Sequence, residues 1–312
     1  MEAVQNRIRS ALIVGAGAVG AAVAGLIAGQ DPEAVCVLAG GERLERYRRD
    51  GFILNGLRRD FPLASPRDRG EADLIIAAVK AHQLAQAIHD MKAHVGPGTL
   101  VLSLMNGITS EEDLAASFGR EKVPYGMILG IDAVREGNDT RFSSTGKVFF
   151  GDARNTEGAW SPRISRIAEF FARTGVAHVV PPDMVKTLWY KFMINVGINQ
   201  VSAIIRGTYR AFQSGADAAA VMDAAMREVV ALSREMGTGL EEADIAAWHA
   251  ALAGFAPGNK TSMLQDVEAG RKTEVEAFAG TVIRLGREKG IPMPVNQALY
   301  SLIRAIEGDF RA

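Results

Sequence analysis

The constraint that most narrows the fold lies near the N-terminus. Residues 10–14, SALIV, form a short apolar run that reads as a buried strand ending at Gly15. Gly15-Ala16-Gly17-Ala18-Val19-Gly20 follows, and a helix of small residues then runs to about position 29. Residues 34–39, AVCVLA, make a second strand. A GxGxxG run alone is a weak signal, but between a strand and a helix of one βαβ unit it marks a dinucleotide-binding turn. Gly15 permits the tight turn, Gly17 lets the backbone approach a pyrophosphate, and Gly20 lets helix pack on strand. The helix start at Ala18 and Val19 offers phosphates its unpaired N–H groups and the positive end of its dipole.

The same stretch imitates a membrane span, because residues 11–29 carry no charge and follow Arg7 and Arg9. Its five glycines are better explained by the turn, so the membrane reading is rejected. A chain of 312 residues exceeds what one core usually supports, which predicts two domains. Thirty-five basic residues nearly cancel thirty-six acidic ones, so nothing points to a nucleic-acid partner or an anionic membrane. A single cysteine, Cys36, excludes an internal disulfide and fits a reducing compartment, and cytoplasmic is the expected location. The five histidines show no metal-ligand spacing, so no metal site is expected.

Apolar strands at 74–79 and 100–104 flank a helix at 82–94. That alternation predicts a parallel sheet with helices on both faces, and the loops at the strands' carboxyl ends should line the cofactor crevice. Lys80 and His82 follow one strand, and Asn106 and Gly107 the other. Helix capping and turn chemistry would account for the same residues. Residues 123–151 read as antiparallel strands finishing the first domain, followed by a helix at 164–174 and a strand at 177–180. Pro181-Pro182 is the expected boundary. The fold class is therefore α/β, with an N-terminal Rossmann-type dinucleotide-binding domain over 1–181 and an all-helical domain over 182–312. Helical patterns fill the latter at 217–236, 241–253, 262–269, 273–289 and 295–307.

The first helix of that second domain, residues 183–206, is apolar around most of its circumference through Trp189, Phe192, Met193, Ile194, Val196 and Val201. Thr187, Lys191, Asn195 and Asn199 nevertheless recur every fourth residue, and Ser202 falls on the same stripe of a regular helix. A lysine drawn out of water beside two amides is costly unless it is paired or useful. A positioned ammonium can stabilise and protonate the oxygen of a ketone as it is reduced. The competing reading is a lysine that snorkels to the surface while the asparagines bond nearby backbone. A second polar cluster spans 258–266 and 271–274. Asn259 and Ser262 fall at an expected helix start, where side-chain oxygens and free amides can hold a carboxylate or simply cap the helix. Glu274 could orient a substrate hydroxyl or hold Lys191, or merely complement a helix dipole in a first turn.

These motifs, in this order, resemble the ketopantoate reductases (2-dehydropantoate 2-reductases) over essentially the whole sequence. The likeness lies in GAGAVG at 15–20, VKAHQ at 79–83, Asn106-Gly107, LWYKFMINVGIN at 188–199, TSMLQD at 261–266, KTEVE at 272–276 and GIPMPVN at 290–296. The resemblance implies NADPH-dependent reduction of a 2-keto acid to a D-2-hydroxy acid. Lys191 is thereby implied as general acid and Glu274 as the acidic partner that orients substrate and lysine. Asn195, Asn199, Asn259 and Ser262 match substrate-associated positions, Ser262 that of the carboxylate. Lys80 and Asn106 match positions beside the cofactor and the lysine.

There is one departure. After the second strand, relatives carry an arginine that contacts the 2′-phosphate of NADPH, and here Gly40 stands in its place. An NAD site would want Asp or Glu at the strand end, and that marker is absent too. Arg43, with Arg46 behind it, could reach a phosphate, while Glu42 could serve a ribose. NADPH is the expected cofactor, with NAD as the alternative. The rival enzyme is an NAD-dependent D-2-hydroxyacid dehydrogenase acting on another, bulky or aromatic, 2-keto acid. Two readings from other classes are a nucleotide-sensing protein without turnover and a methyltransferase with a glycine-rich loop. Neither needs Lys191, Asn195, Ser262 and Glu274 together. The oligomeric state is not fixed by the sequence, and a homodimer is one assembly open to the chain.

Overall fold

Strand β1 (Ala11–Val14) is buried at every position, as expected of the middle strand of a parallel sheet covered on both faces. The computed structural model describes residues 7–310. These divide after Met184 into two compact units.

In the first unit, β1 leads through the glycine turn into α1 (Ala18–Gln30) and then β2 (Val35–Leu38). Helix α1 explains the chargeless stretch: Ala21, Ala22, Val23, Ala24 and Ile27 are buried in the unit's own core. Among the described residues no helix is long and apolar enough to cross a membrane. Helix α2 (Gly41–Asp50) follows, and buries only Leu44 and Tyr47 on one side of an otherwise charged surface. Next come β3 (Phe52–Leu54), β4 (Leu57–Arg59), β5 (Leu63–Ala64), β6 (Leu74–Ala77), α3 (Leu84–Met91), β7 (Leu100–Ser103) and α4 (Ser110–Phe118). The main sheet has the order β5-β2-β1-β6-β7, all parallel. The strand order reverses at β1, between β2 on one side and β6 on the other. In open sheets of this kind, ligands lie beyond the carboxyl ends of the strands at that reversal.

The unit is completed by β8 (Tyr125–Ile131), β9 (Val134–Glu136), β10 (Asp139–Arg141), β11 (Thr145–Gly151), α5 (Pro162–Arg173) and β12 (His178–Val179). Strands β8 and β11 pair antiparallel as the sequence predicts, with β12 parallel on the other edge of β11. The ribbon β9–β10 departs from that expectation. It leaves its neighbours and joins β3 and β4 in a second sheet of order β4-β3-β10-β9. The β3–β4 hairpin, absent from the sequence reading, turns on Asn55-Gly56, both with positive φ (50° and 79°). That pair of left-handed residues is what a two-residue turn between twisted strands requires.

The described part of the second unit contains no strand. It comprises α6 (Met184–Ile194), α7 (Gln200–Ile205), α8 (Arg210–Gln213), α9 (Ala216–Met236), α10 (Glu242–Leu252), α11 (Ser262–Glu268), α12 (Thr281–Lys289) and α13 (Pro294–Asp309). Two segments differ from the α-helices that the sequence predicts: residues 195–199 and 276–280 are π-helical. The first joins α6 to α7 and the second leads into α12, and the two pack on one another. A π turn leaves a carbonyl short of its usual partner, and in each segment a side chain supplies one. Gln200 Nε2 donates to the Val196 carbonyl at 2.7 Å, and Thr281 Oγ1 donates to that of Glu276 at 3.3 Å.

Candidate active site

The first unit supplies a turn shaped by glycine. Gly15 has φ +96°, and a Cβ there would sit 2.9 Å from the Ala78 carbonyl carbon. A Cβ on Gly20 would collide with the carbonyl oxygen of Gly15, so this glycine lets α1 close onto β1. Gly17 is different: an added Cβ would meet nothing within 4 Å. The fold therefore needs Gly15 and Gly20 for its own packing, whereas the space over Gly17 is open to a ligand. Ala18 and Val19 open α1, the end of the helix where N–H groups are unpaired. The turn thus fits a dinucleotide pyrophosphate.

Lys80, half-buried, follows the carboxyl end of β6 and starts a short 3₁₀ turn. Its N–H donates to Gln83 Oε1 at 3.3 Å while its carbonyl accepts from Gln83 N–H at 2.8 Å. Asn106 follows β7, directly before Gly107 with φ +96°. The loop that carries Asn106 is held from behind by residues the sequence reading passed over. Ser103 Oγ accepts from the Met105 N–H at 3.2 Å and shares a 2.8 Å bond with Ser110 Oγ. Ser110 also donates to the buried Glu111 carboxyl, at 3.0 Å. Burial pushes that carboxyl up to about 6, against the pull of its hydrogen bonds from backbone and Ser110. Arg43 is exposed in the first turn of α2, and Gly40 is the N-cap of that helix. A further guanidinium, Arg135 on β9, donates to the carbonyl of Ala16 inside the glycine turn.

In the second unit, Lys191 is only 7% exposed and Asn199 5%, while Asn195 is half-buried. Asn199 Nδ2 donates to Asn195 Oδ1 at 3.0 Å, so the amides that bracket the first π segment are paired with each other. Ser202 does not join this group. It is fully buried, donates to the Gly207 carbonyl at 2.6 Å and accepts from Thr261 Oγ1 at 3.1 Å. In a regular helix Ser202 would return to within about 20° of Lys191 after three turns; the π segment breaks that phase.

Thr261, not Asn259 or Ser262, caps α11: its Oγ1 accepts from Leu264 N–H at 3.2 Å. Ser262 is the exposed first residue of the helix, and the exposed Asn259 lies on the turn before it, its carbonyl accepting from Tyr209 N–H at 3.0 Å. Glu274 lies two residues before the second π segment, outside the helix that the sequence predicts from 273 onward. Its carbonyl accepts from Phe278 N–H at 3.1 Å. The preceding Thr273 is clamped by Glu307, which accepts from its N–H at 2.8 Å and its hydroxyl at 2.7 Å. Within this unit, helix α11 packs on α7 and on the first π segment, and the two π segments pack on one another. Among the described residues no cluster of histidine, cysteine or carboxylate side chains could hold a metal ion.

A doubly wound sheet with this glycine turn at its central strand, followed by a helical unit with a buried lysine, defines a Rossmann-type protein of the two-unit oxidoreductase class. Residues 11–155 match the family model for ketopantoate reductase PanE/ApbA, and residues 183–307 match the model for the C terminal of the same family. A 2-dehydropantoate 2-reductase from Archaeoglobus fulgidus is 30% identical over 96% of this chain and 99% of its own length. The crystal structure of a PanE/ApbA family ketopantoate reductase from Ralstonia eutropha superposes with a TM-score of 0.82 at 26% identity, covering 97% of this chain and 100% of that one. D-mandelate dehydrogenase with NADH and anilino(oxo)acetate shares the fold, with a TM-score of 0.86 at 23% identity over 97% of this chain and 100% of that one. The chain belongs to the ketopantoate reductase family.

Proposed function

We propose that the protein reduces ketopantoate (2-dehydropantoate) to D-pantoate with NADPH, as a cytoplasmic enzyme of pantothenate and coenzyme A synthesis. The observation that carries this reading is Lys191. It is a lysine kept almost wholly from solvent, one turn ahead of two paired amides, in a chain of this family. The backbone of Gly15, Gly17, Ala18, Val19 and Gly20 takes the pyrophosphate, Lys80 and Asn106 lie along the dinucleotide, and Arg43 serves its 2′-phosphate. The reduced nicotinamide supplies a hydride to the keto carbon when bound. As the C=O π electrons move onto oxygen, Lys191 Nζ–H stabilises the growing charge and gives up its proton there, leaving a secondary alcohol. Ser262 and Asn259 hold the substrate carboxylate, Asn195 and Asn199 hold its oxygens, and Asn106 and Glu274 orient substrate and lysine. Glu274 is given this role by its match to the family motif, and the Thr273–Glu307 hydrogen bonds hold the residue before it.

Steady-state turnover of the purified protein with ketopantoate, against NADPH and NADH in parallel, tests this. Replacing Lys191 with alanine should lower kcat at least about a hundredfold while dinucleotide binding persists. Unchanged turnover would remove Lys191 from the mechanism. A second reading is favoured by Gly40, which gives the end of β2 neither an arginine nor a carboxylate. It is an NAD-dependent D-2-hydroxyacid dehydrogenase acting on a bulky or aromatic 2-keto acid, the chemistry named for the mandelate enzyme of the same fold. Turnover of such an acid with NADH, and none of ketopantoate, would select it.

A further inference from the structure

We propose that Arg135 joins Arg43 as a cation that receives the adenosine 2′-phosphate, in place of the arginine missing at Gly40. The inference rests on the NADPH reading above. Arg135 Nε donates to the Gly137 carbonyl at 2.9 Å, Nη2 donates to Asn138 Oδ1 at 3.2 Å, and Nη1 donates to the Ala16 carbonyl. Its Cζ also lies 5.7 Å from the centre of the Tyr47 ring. Every one of these partners is neutral. Of the five N–H donors on a guanidinium, three are occupied and two remain for a ligand. A half-buried arginine without a carboxylate in its bonding set carries charge that an anion would offset.

Position names the anion. In a doubly wound fold the adenosine ribose lies between the glycine turn and the end of the second strand, about twenty residues on, where a carboxylate serves the 2′-hydroxyl or an arginine the 2′-phosphate. Arg135 lies at the first of these landmarks and beside the helix that follows the second. It bonds Ala16 between Gly15 and Gly17, and it faces Tyr47, the buried residue in the middle of α2, the helix that starts just past β2. Arg46 lies against the same ring, its Cζ 5.6 Å from the centre, and Arg43 precedes it by one turn. Cationic charge is therefore gathered at the ribose end of the turn, though the position that usually supplies it is a glycine. The β9–β10 ribbon brings this about by crossing to the sheet of β3 and β4, which places Arg135 beside the first βα unit from 119 residues away.

The test uses two ligands differing only in the phosphate, adenosine 2′,5′-bisphosphate and 5′-AMP, titrated calorimetrically into the intact protein without turnover. Wild type should bind the bisphosphate at least tenfold more tightly. Arg135→Met should lose about tenfold or more for the bisphosphate, as for a charge-assisted hydrogen bond, and under threefold for 5′-AMP. Arg135→Lys, which keeps the charge but not the fork, should fall between the two, and thermal unfolding of each variant reports whether the fold is intact. Equal loss for both ligands would overturn the proposal, because the guanidinium would then only shape the turn through Ala16. So would a full preference retained in Arg135→Met, which would leave the NADPH reading standing on Arg43. A wild type that does not distinguish the ligands would remove the NADPH reading itself.

Discussion

Glu111, a buried carboxyl behind the loop that carries Asn106, ties folding stability to pH. Its carboxyl is 1% exposed, and burial raises it from 4.5 to about 6. The folded protein therefore holds this proton more tightly than the unfolded chain does. The resulting stability is fully present below about pH 4.5 and is lost as pH rises through about 6, a total of ~2 kcal/mol. Urea unfolding at several pH values should show that decline, and Glu111→Gln should flatten it, its amide oxygen accepting from Gly126 N–H and its amide N–H donating to Ser110 Oγ in place of the present bonds. If the slope survives in the glutamine variant, another group carries it. At the same scale Gly17 and Gly20 should part company. Gly17→Ala should keep the wild-type midpoint and lose dinucleotide affinity, since its Cβ enters ligand space. Gly20→Ala should lose stability outright, because its Cβ meets the Gly15 carbonyl.

At the scale of elements, the first π segment is a packing feature with a measurable consequence. A Cβ on Gly197 would lie 2.6 Å from Met226 Cε, 2.7 Å from Met226 Cγ and 3.1 Å from Met222 Cγ. Gly197→Ala should cost ~1–3 kcal/mol by crowding, although alanine is the better helix former by about 1 kcal/mol. Met226→Ala in the same chain should recover part of the loss, read as a coupling energy in a double-mutant cycle. A stabilised single variant would mean that α9 has room there. This segment also marks where sequence ceased to inform. The strands of the main sheet were legible because β1 and β6 are continuous apolar runs and β7 is apolar up to Ser103, each fully buried. The glycine turn and the helical second unit were legible for equally local reasons. The π segments were not, since their residues suit an α-helix equally well. What distinguishes them is support from Gln200 and Thr281, together with the partners that hold Gln200, including Asn296 at 3.3 Å. Arg135 was illegible for a related reason: its meaning depends on a strand pairing between distant segments. Among the polar positions, the cap at Thr261 was missed by a single residue; its extended backbone and the hydrogen bond from Leu264 N–H distinguish it from Ser262.

At the scale of the whole molecule, the residues assigned to the dinucleotide fall in one compact unit and those assigned to the proton and carboxylate fall almost wholly in the other. A dinucleotide that binds only the folded protein should stabilise it by mass action, by ~2.7 kcal/mol at a hundredfold excess over Kd. Slower hydrogen exchange in peptides covering β1 and α1 would register this, and unchanged exchange there would move the binding site elsewhere. The π segments have a further consequence for how the chain tolerates change in its gene. A helix advances about 100° per residue, so losing a single residue from 195–199 would let α6 and α7 close into one regular helix. A π turn spends about one more residue than an α turn on the same rotation, so the helix beyond would keep nearly its present direction relative to Lys191. An in-frame loss of one codon from 195–199 should therefore cost the fold less than the same loss from the middle of the regular helix α9. Thermal unfolding of the two deletion variants would show the difference, and equal loss would mean that the π segment absorbs nothing.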